Sequence, residues 1–202
     1  MKELGRAGAI GRFKPLHLGG AALLETMCEK AEHVLIGIGS SNQYNARNPF
    51  TAEETRDMIG LVLAGFDNYE VIEVPDLFNE PKWIEQAKRL YGELDYFVSG
   101  NDYVADLLKD HFRVIHPVEI VPAEKQVKVR ATEIRYEMAK GGNWEQYVPE
   151  KVAEYIKQNG LDERFRREFG LETLAKLADQ DYSTAETIAQ ERAHVFGGTE
   201  KS

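Results

Sequence analysis

Potential chemistry is concentrated in ten consecutive residues, Gly11-Arg12-Phe13-Lys14-Pro15-Leu16-His17-Leu18-Gly19-Gly20. Two cations and a histidine are interleaved there with glycines, which let a backbone come close to a ligand. The string falls where an apolar strand over residues 7–10 should hand over to a helix over 21–31. A helix N-terminus offers unpaired N–H groups and a partial positive charge, so the segment predicts a binding turn for an anion, above all a nucleotide phosphate. An isolated Gly-Arg-Phe would be read as a solvated loop, with the histidine capping the helix. The whole string, at this junction, favours binding.

Four further segments could contribute. Arg47 stands in the loop Asn45-Ala46-Arg47-Asn48-Pro49-Phe50-Thr51 and could reach over a cleft as a phosphate clamp. Thr132 is a good N-cap for a helix over 133–140, which puts Arg135 in its first turn. A cation there opposes the helix dipole unless an anion shares the same helix end. Asp76 and Trp83 follow the third apolar run. A tryptophan at a helix start beside a cleft could stack on a flat heterocycle, or simply pack. Ser99-Gly100-Asn101 would present N–H groups and an amide at the end of a fourth strand. By contrast, Gly37-Ile38-Gly39-Ser40-Ser41-Asn42 begins like a dinucleotide fingerprint but lacks the third glycine, and the expected helix is delayed to Ala52. A tight turn is the expectation for it.

Positioning these residues requires a regular frame, and the chain alternates strand and helix patterns. The predicted strands are residues 7–10, 33–38, 70–74, 96–99 and 113–118, short apolar runs of the kind buried on both faces of a parallel sheet. The predicted helices between them are 21–31, 51–64, 82–91 and 103–109; the second opens with a capping box, Thr51 and Glu54. Alternation of this kind predicts an α/β fold: a doubly wound, mostly parallel Rossmann-like sheet with helices on both faces. Its ligand cleft should lie beyond the carboxyl ends of the strands. After the helix at 133–140, a second helix is expected over 144–159, with Pro149 in it or breaking it. An α/β domain over 1–170 and a charged, partly helical C-terminal extension over 171–202 are expected. In the extension, Ser183 and Glu186 form a capping box for residues 184–194, and the last six residues read as disordered.

Composition narrows the function. A formal charge of −9 over 202 residues lacks the basic footprint that nucleic acid demands, though a small anion can still bind where a few cations are focused. The longest apolar run, 58–66, is far short of the roughly 20 residues that cross a bilayer, so no membrane partner is expected. The single cysteine, Cys28, builds neither a disulfide framework nor a cysteine metal site, and no export signal is visible; a cytoplasmic protein is expected.

With those residues in place, the chain resembles the nucleotidyltransferase superfamily with the His-x-Gly-His signature, and within it the archaeal-type nicotinamide-nucleotide adenylyltransferases. The matching pieces are residues 11–19, Asn48-Pro49-Phe50-Thr51-Ala52 with Glu54 and Arg56, the Asp76…Trp83 spacing, Ser99-Gly100-Asn101, Thr132-Glu133-Ile134-Arg135, and Trp144-Glu145…Val148-Pro149, in the family's order. The resemblance implies transfer of AMP from ATP to nicotinamide mononucleotide, giving NAD and pyrophosphate, with Mg²⁺ bound through the ATP phosphates and a homo-oligomeric assembly. It assigns catalysis to His17, Lys14 and Arg135. Substrate contacts fall to Gly11, Arg12, Phe13, Gly19, Gly20, Arg47, Asp76, Trp83 (on the nicotinamide ring), Ser99, Gly100, Asn101 and Thr132; no protein metal ligand is implied. Two departures matter. The second signature histidine is Gly20, and the small polar pair before the threonine is Arg130-Ala131. Two readings follow: an adenylyltransferase of reduced activity or one using another nucleotide acceptor, and a nucleotide-binding protein with impaired catalysis that serves as a sensor or assembly subunit.

Overall fold

The structure is a computed structural model that describes residues 2–77 and 79–178. Its centre is a five-stranded sheet in the order β3-β2-β1-β4-β5. The strands are β1 (Arg6–Gly11), β2 (His33–Gly39), β3 (Tyr69–Val74), β4 (Tyr96–Val98) and β5 (Val114–Ile115). Every pairing is parallel. The apolar runs that predicted these strands are buried: Ala7, Ala9, Val34, Leu35, Ile36 and Ile38 are each at most 2% exposed.

Four crossover helices follow the strands: α1 (Leu18–Lys30), α2 (Ala52–Val62), α3 (Glu80–Tyr91) and α4 (Asp102–Leu108). They divide between two cores. Leu24 and Met27 of α1 and Met58 and Ile59 of α2 pack with Ala7, Ala9, Val34 and Ile36 in one. Trp83, Ala87 and Tyr91 of α3 and Leu108 of α4 pack with Leu35 and Phe97 in the other. Right-handed crossovers require this, because the chain reverses its direction across the sheet after β3 and the helices must change face. The reversal leaves β1 and β4 as neighbours, which is where a doubly wound sheet opens its ligand crevice.

Local chemistry accounts for most boundaries. The predicted capping box opens α2, with the Glu54 N–H donating to Thr51 Oγ1 at 3.1 Å and the Thr51 N–H to Glu54 Oε2 at 2.9 Å. Asn79 caps α3 and Asn101 caps α4. Several expectations are corrected. The fifth strand is two residues and not 113–118, because Pro117 has no N–H for the ladder and begins a 3₁₀ turn, Pro117–Glu119. The dinucleotide-like Gly37 and Gly39 lie inside β2, and the expected tight turn is confined to residues 40–42. Gly37 is where the Tyr91 hydroxyl crosses the sheet: a Cβ there would sit 1.9 Å from it, and that hydroxyl donates to the Ala9 carbonyl at 2.8 Å.

Beyond the sheet come α5 (Ala131–Ala139), α6 (Glu150–Gln158) and α7 (Leu161–Ala178). Arg130, not Thr132, is the N-cap of α5; its N–H donates to the Glu133 carboxylate at 3.2 Å, which starts the helix early and places Thr132 within the first turn. The expected helix over 144–159 is split. Pro149 is the N-cap of α6, and a 3₁₀ turn, Glu145–Tyr147, precedes it. α7 runs through residue 170 without a break. The expected capping box at Ser183 and Glu186 lies outside the described residues. Among those described, no helix is long and apolar enough to cross a membrane.

Candidate active site

The turn from β1 into α1 is built around two side chains that face inward. His17 is the N-cap of α1, and its Nδ1 accepts the Gly20 N–H at 3.1 Å. Burial, and after it the Arg135 charge, pushes its pKa down to about 4, so the ring is neutral near neutral pH. With Nδ1 accepting, the ring proton resides on Nε2, which makes His17 a hydrogen-bond donor there. Lys14 is fully buried, and its Nζ donates to the Ser40 carbonyl at 3.0 Å. Burial lowers its pKa to about 8, against the opposing pull of Asp76.

Asp76, 7% exposed just past β3, answers this buried cation. Desolvation raises its pKa to about 6, although the Ser40 hydroxyl and the charges of Arg12, Lys14 and Arg47 work the other way. The Ser40 hydroxyl donates to Asp76 Oδ1 at 3.2 Å. Asn42 braces the same corner: its Oδ1 accepts the Asp76 N–H at 2.9 Å, and its Nδ2 donates to the Asp76 carbonyl at 3.0 Å. The loops that leave β2 and β3 are thereby tied together at the carboxyl edge of the sheet.

Arg135 comes from α5 and is 5% exposed. Its Nη1 donates to the Lys14 carbonyl at 3.1 Å and its Nη2 to Thr132 Oγ1 at 3.2 Å, so Thr132 orients the arginine instead of capping the helix. Burial, and then the charges of Arg12 and Arg47, push the Arg135 pKa down to about 9. The Arg12 charge thus bears on both Lys14 and Arg135, and the Arg47 charge on Arg135, with the neutral His17 next to Arg135. Cations gathered under partial burial repel one another, and a polyanion relieves both that repulsion and their desolvation.

Other predicted residues frame this cluster or fall away from it. The pairing of Ala9 with Val98 sets residues 99–101 beside the turn that starts at Gly11. Ser99 is buried, and its hydroxyl accepts the Asn101 N–H at 3.2 Å. Asn101 Oδ1 accepts the N–H groups of Tyr103 and Val104, so its carbonyl serves α4. A Cβ on Gly100 would stand 3.4 Å from Pro117. Gly19 has to be glycine because a Cβ would lie 2.8 Å from the Val127 carbonyl, where the segment before α5 passes over α1. The ring of Phe13 sits against Gly11, with a Cβ on that glycine only 2.7 Å from Phe13 Cζ. Trp83 is 3% exposed within the core formed with Leu35, Ala87 and Tyr91, so packing claims nearly all of its surface. Ser40 and Asn42 were missed in the sequence; polar residues after a strand carry no signal of partners more than 30 positions away.

The cytidylyltransferase-like family matches residues 9–137, from β1 to α5. The chain belongs to that family. Within it, similar proteins include the nicotinamide-nucleotide adenylyltransferase of Pyrococcus horikoshii, 36% identical over 161 residues that cover 78% of this chain and 85% of the relative. The enzyme of the same name from Methanococcus vannielii is 30% identical over 179 residues, 88% of this chain and 97% of the relative. Among solved structures, a bifunctional NMN adenylyltransferase/ADP ribose pyrophosphatase from Francisella tularensis, complexed with AMP and a manganese ion, superposes with a TM-score of 0.63 at 22% identity. That comparison covers 81% of this family member and 52% of the bifunctional chain, about half its length, and shows the shared fold. The cation cluster of this cytidylyltransferase-like protein lies wholly inside the matched stretch, whereas α6 and α7 lie beyond it.

Proposed function

We propose that this protein transfers AMP from ATP to nicotinamide mononucleotide, giving NAD and pyrophosphate. The observation that carries the reading is the convergence of Arg12, Lys14, Arg47 and Arg135 around a neutral N-cap histidine at the end of β1. It is supported by the names of the relatives that align over most of the chain. In the reaction a 5′-phosphate oxygen of the mononucleotide forms a bond to the α-phosphorus of ATP. The bond from that phosphorus to the bridging oxygen breaks, and pyrophosphate leaves with the electron pair. The protein has little covalent work to do; its part is to align the two phosphates and to stabilise negative charge on the leaving group. In this reading the α1 N-terminus and His17 Nε2–H donate toward the phosphates, and Arg12, Lys14, Arg47 and Arg135 supply the positive charge that meets them.

Among the described residues no three His, Cys, Asp or Glu side chains converge to hold a metal. The cationic donor set suits a phosphate, so Mg²⁺ would enter with ATP as part of the substrate. Stacking of nicotinamide on Trp83 belongs to this proposal, and it requires a ring that is 3% exposed to become accessible. A second reading, nucleotide binding with weakened catalysis, rests on Gly20, which offers no side-chain donor.

The deciding assay mixes ATP, Mg²⁺ and nicotinamide mononucleotide with the protein and follows NAD and pyrophosphate, beside calorimetry with ATP. Stoichiometric appearance of both products is expected. ATP binding without NAD would select the second reading.

The site also predicts a pH profile. The working state holds Asp76 ionised and Lys14 protonated. Raising the pH through about 6 ionises Asp76, and raising it through about 8 discharges Lys14. We therefore expect kcat/KM to rise through the first value, level off and fall through the second. In Asp76→Asn the acid limb should vanish, and the alkaline limb should move to lower pH because Lys14 loses its supporting charge. An acid limb identical in both proteins would remove Asp76 from this role.

A further inference from the structure

Both stems of the loop that carries Arg47 are fastened to a single face of α7. On the leading stem, the Tyr44 hydroxyl donates to Glu168 Oε2 at 2.5 Å, and its ring meets Phe169 edge-on at 5.2 Å between centroids. The Arg164 guanidinium lies 5.6 Å from the centre of the same ring. On the trailing stem, Arg164 Nη2 donates to the Pro49 carbonyl at 3.0 Å. Its fork also closes on Glu54, Nη1 to Oε1 at 2.5 Å and Nη2 to Oε2 at 2.7 Å. Glu54 is itself the residue that closes the capping box of α2. Arg164 and Glu168 stand one helical turn apart and so share a face.

Between the stems the loop braces itself. Asn45 Oδ1 accepts the N–H groups of Arg47 at 3.0 Å and Asn48 at 3.1 Å. The Arg164–Glu54 pair is mostly shielded, with side chains 22% and 17% exposed. Burial alone would raise the Glu54 pKa, but the donors of Arg164 and Thr51 outweigh it and hold the carboxyl below its ordinary range. A mobile loop would place the Arg47 charge diffusely and pay to order it on binding. A loop pinned at both stems holds the charge where the ligand will meet it.

We infer that Arg164 and Glu168 on one face of α7, with Phe169 beside them, form a positioning clamp for Arg47, holding its guanidinium in register with the phosphates of a nucleoside triphosphate. The inference rests on the proposed reading of Arg47 as a phosphate contact. It gives a role in the site to a helix that lies outside the stretch matched to the family. Arg164, Glu168 and Tyr44 act only through the loop, so they are positioning residues and touch no substrate.

A double-mutant cycle on the full chain tests this. Arg164→Lys keeps the charge but loses the planar fork, and Tyr44→Phe deletes one hydroxyl while the ring stays. Arg164→Lys should weaken ATP binding and lower kcat/KM by about tenfold, and Tyr44→Phe by less, mainly through KM. In an Arg47→Ala background the same changes should cost nothing further. The cycle is run twice, on NAD formation and on the ATP Kd by calorimetry. A cost of equal size in both backgrounds would mean general destabilisation and overturn the clamp, as would an Arg47→Ala protein that binds ATP like the parent. If Arg164→Lys fails to fold, Tyr44→Phe and Glu168→Gln decide the matter by the same criterion. A cycle that closes on Kd while no NAD forms would sink the proposed reaction and uphold the clamp. A parent that binds no ATP would sink both.

Discussion

Replacing Gly20 with histidine is expected to raise the kcat of NAD formation by about 10²–10³-fold, the usual worth of one donor aimed at developing phosphate charge. Gly20 is the third residue of α1, and its N–H is already directed into the turn by His17 Nδ1. A side chain there would leave the same helix end that faces the phosphates. A Cβ on Gly20 would come 3.1 Å from Leu16 Cδ1, 3.6 Å from Phe13 Cδ1 and 3.8 Å from His17 Cε1. Of these, only the flexible tip of Leu16 must give way. Gly20→Ala is the control, since it adds the Cβ without a donor and should leave kcat near the parent's. Single-turnover rates at saturating ATP and nicotinamide mononucleotide separate the two. A histidine variant no faster than the alanine variant would show that this position does not limit the chemistry.

Arg135→Met is expected to lower kcat/KM by about 10²-fold or more while leaving the melting temperature of the free protein nearly unchanged. The two halves of this prediction have one cause. Arg135 is buried within reach of Arg12 and Arg47, and its depressed pKa records that folding works against its charge. Its removal forfeits hydrogen bonds to the Lys14 carbonyl and to Thr132 Oγ1, each worth about 1 kcal/mol, and gains back desolvation and repulsion of similar order. What is lost is the field that a triphosphate would feel. The melting rise produced by ATP should accordingly shrink in the variant. The reverse pattern, a large fall in melting temperature with kcat/KM preserved, would make Arg135 a structural strut between α5 and the first turn.

The frame was readable because its causes are local. Apolar runs of strand length, the Thr51–Glu54 box and the alternation of element types act over a few residues, and they predicted five strands of a mostly parallel sheet with crossover helices in their observed chain order. Where local signals failed, a neighbour in the chain overruled them. Pro117 cut the fifth strand short. Glu133 let α5 start from Arg130, two residues before Thr132 could cap it. Gly37 reads as part of a tight turn but lies in β2, because a glycine's pattern does not say what occupies the space above it, and here that is the distant Tyr91.

For the site, the sequence by itself determined which residue types stand at the proposed phosphate-binding turn: Arg12, Lys14 and His17 at the end of β1, with Arg47 and Arg135 to follow. Only the tertiary structure decided what those groups would be electrically. Lys14 became a buried cation facing Asp76 through the Ser40 corner, Arg135 a buried one bonded to a carbonyl 121 positions away, and His17 a neutral donor. Trp83 went to the core, and Arg164 came back across 115 positions to donate to the Pro49 carbonyl beside the Arg47 loop. Desolvation and charge coupling depend on distance in space, and residues so far apart in the chain meet only once the sheet has set its strand order.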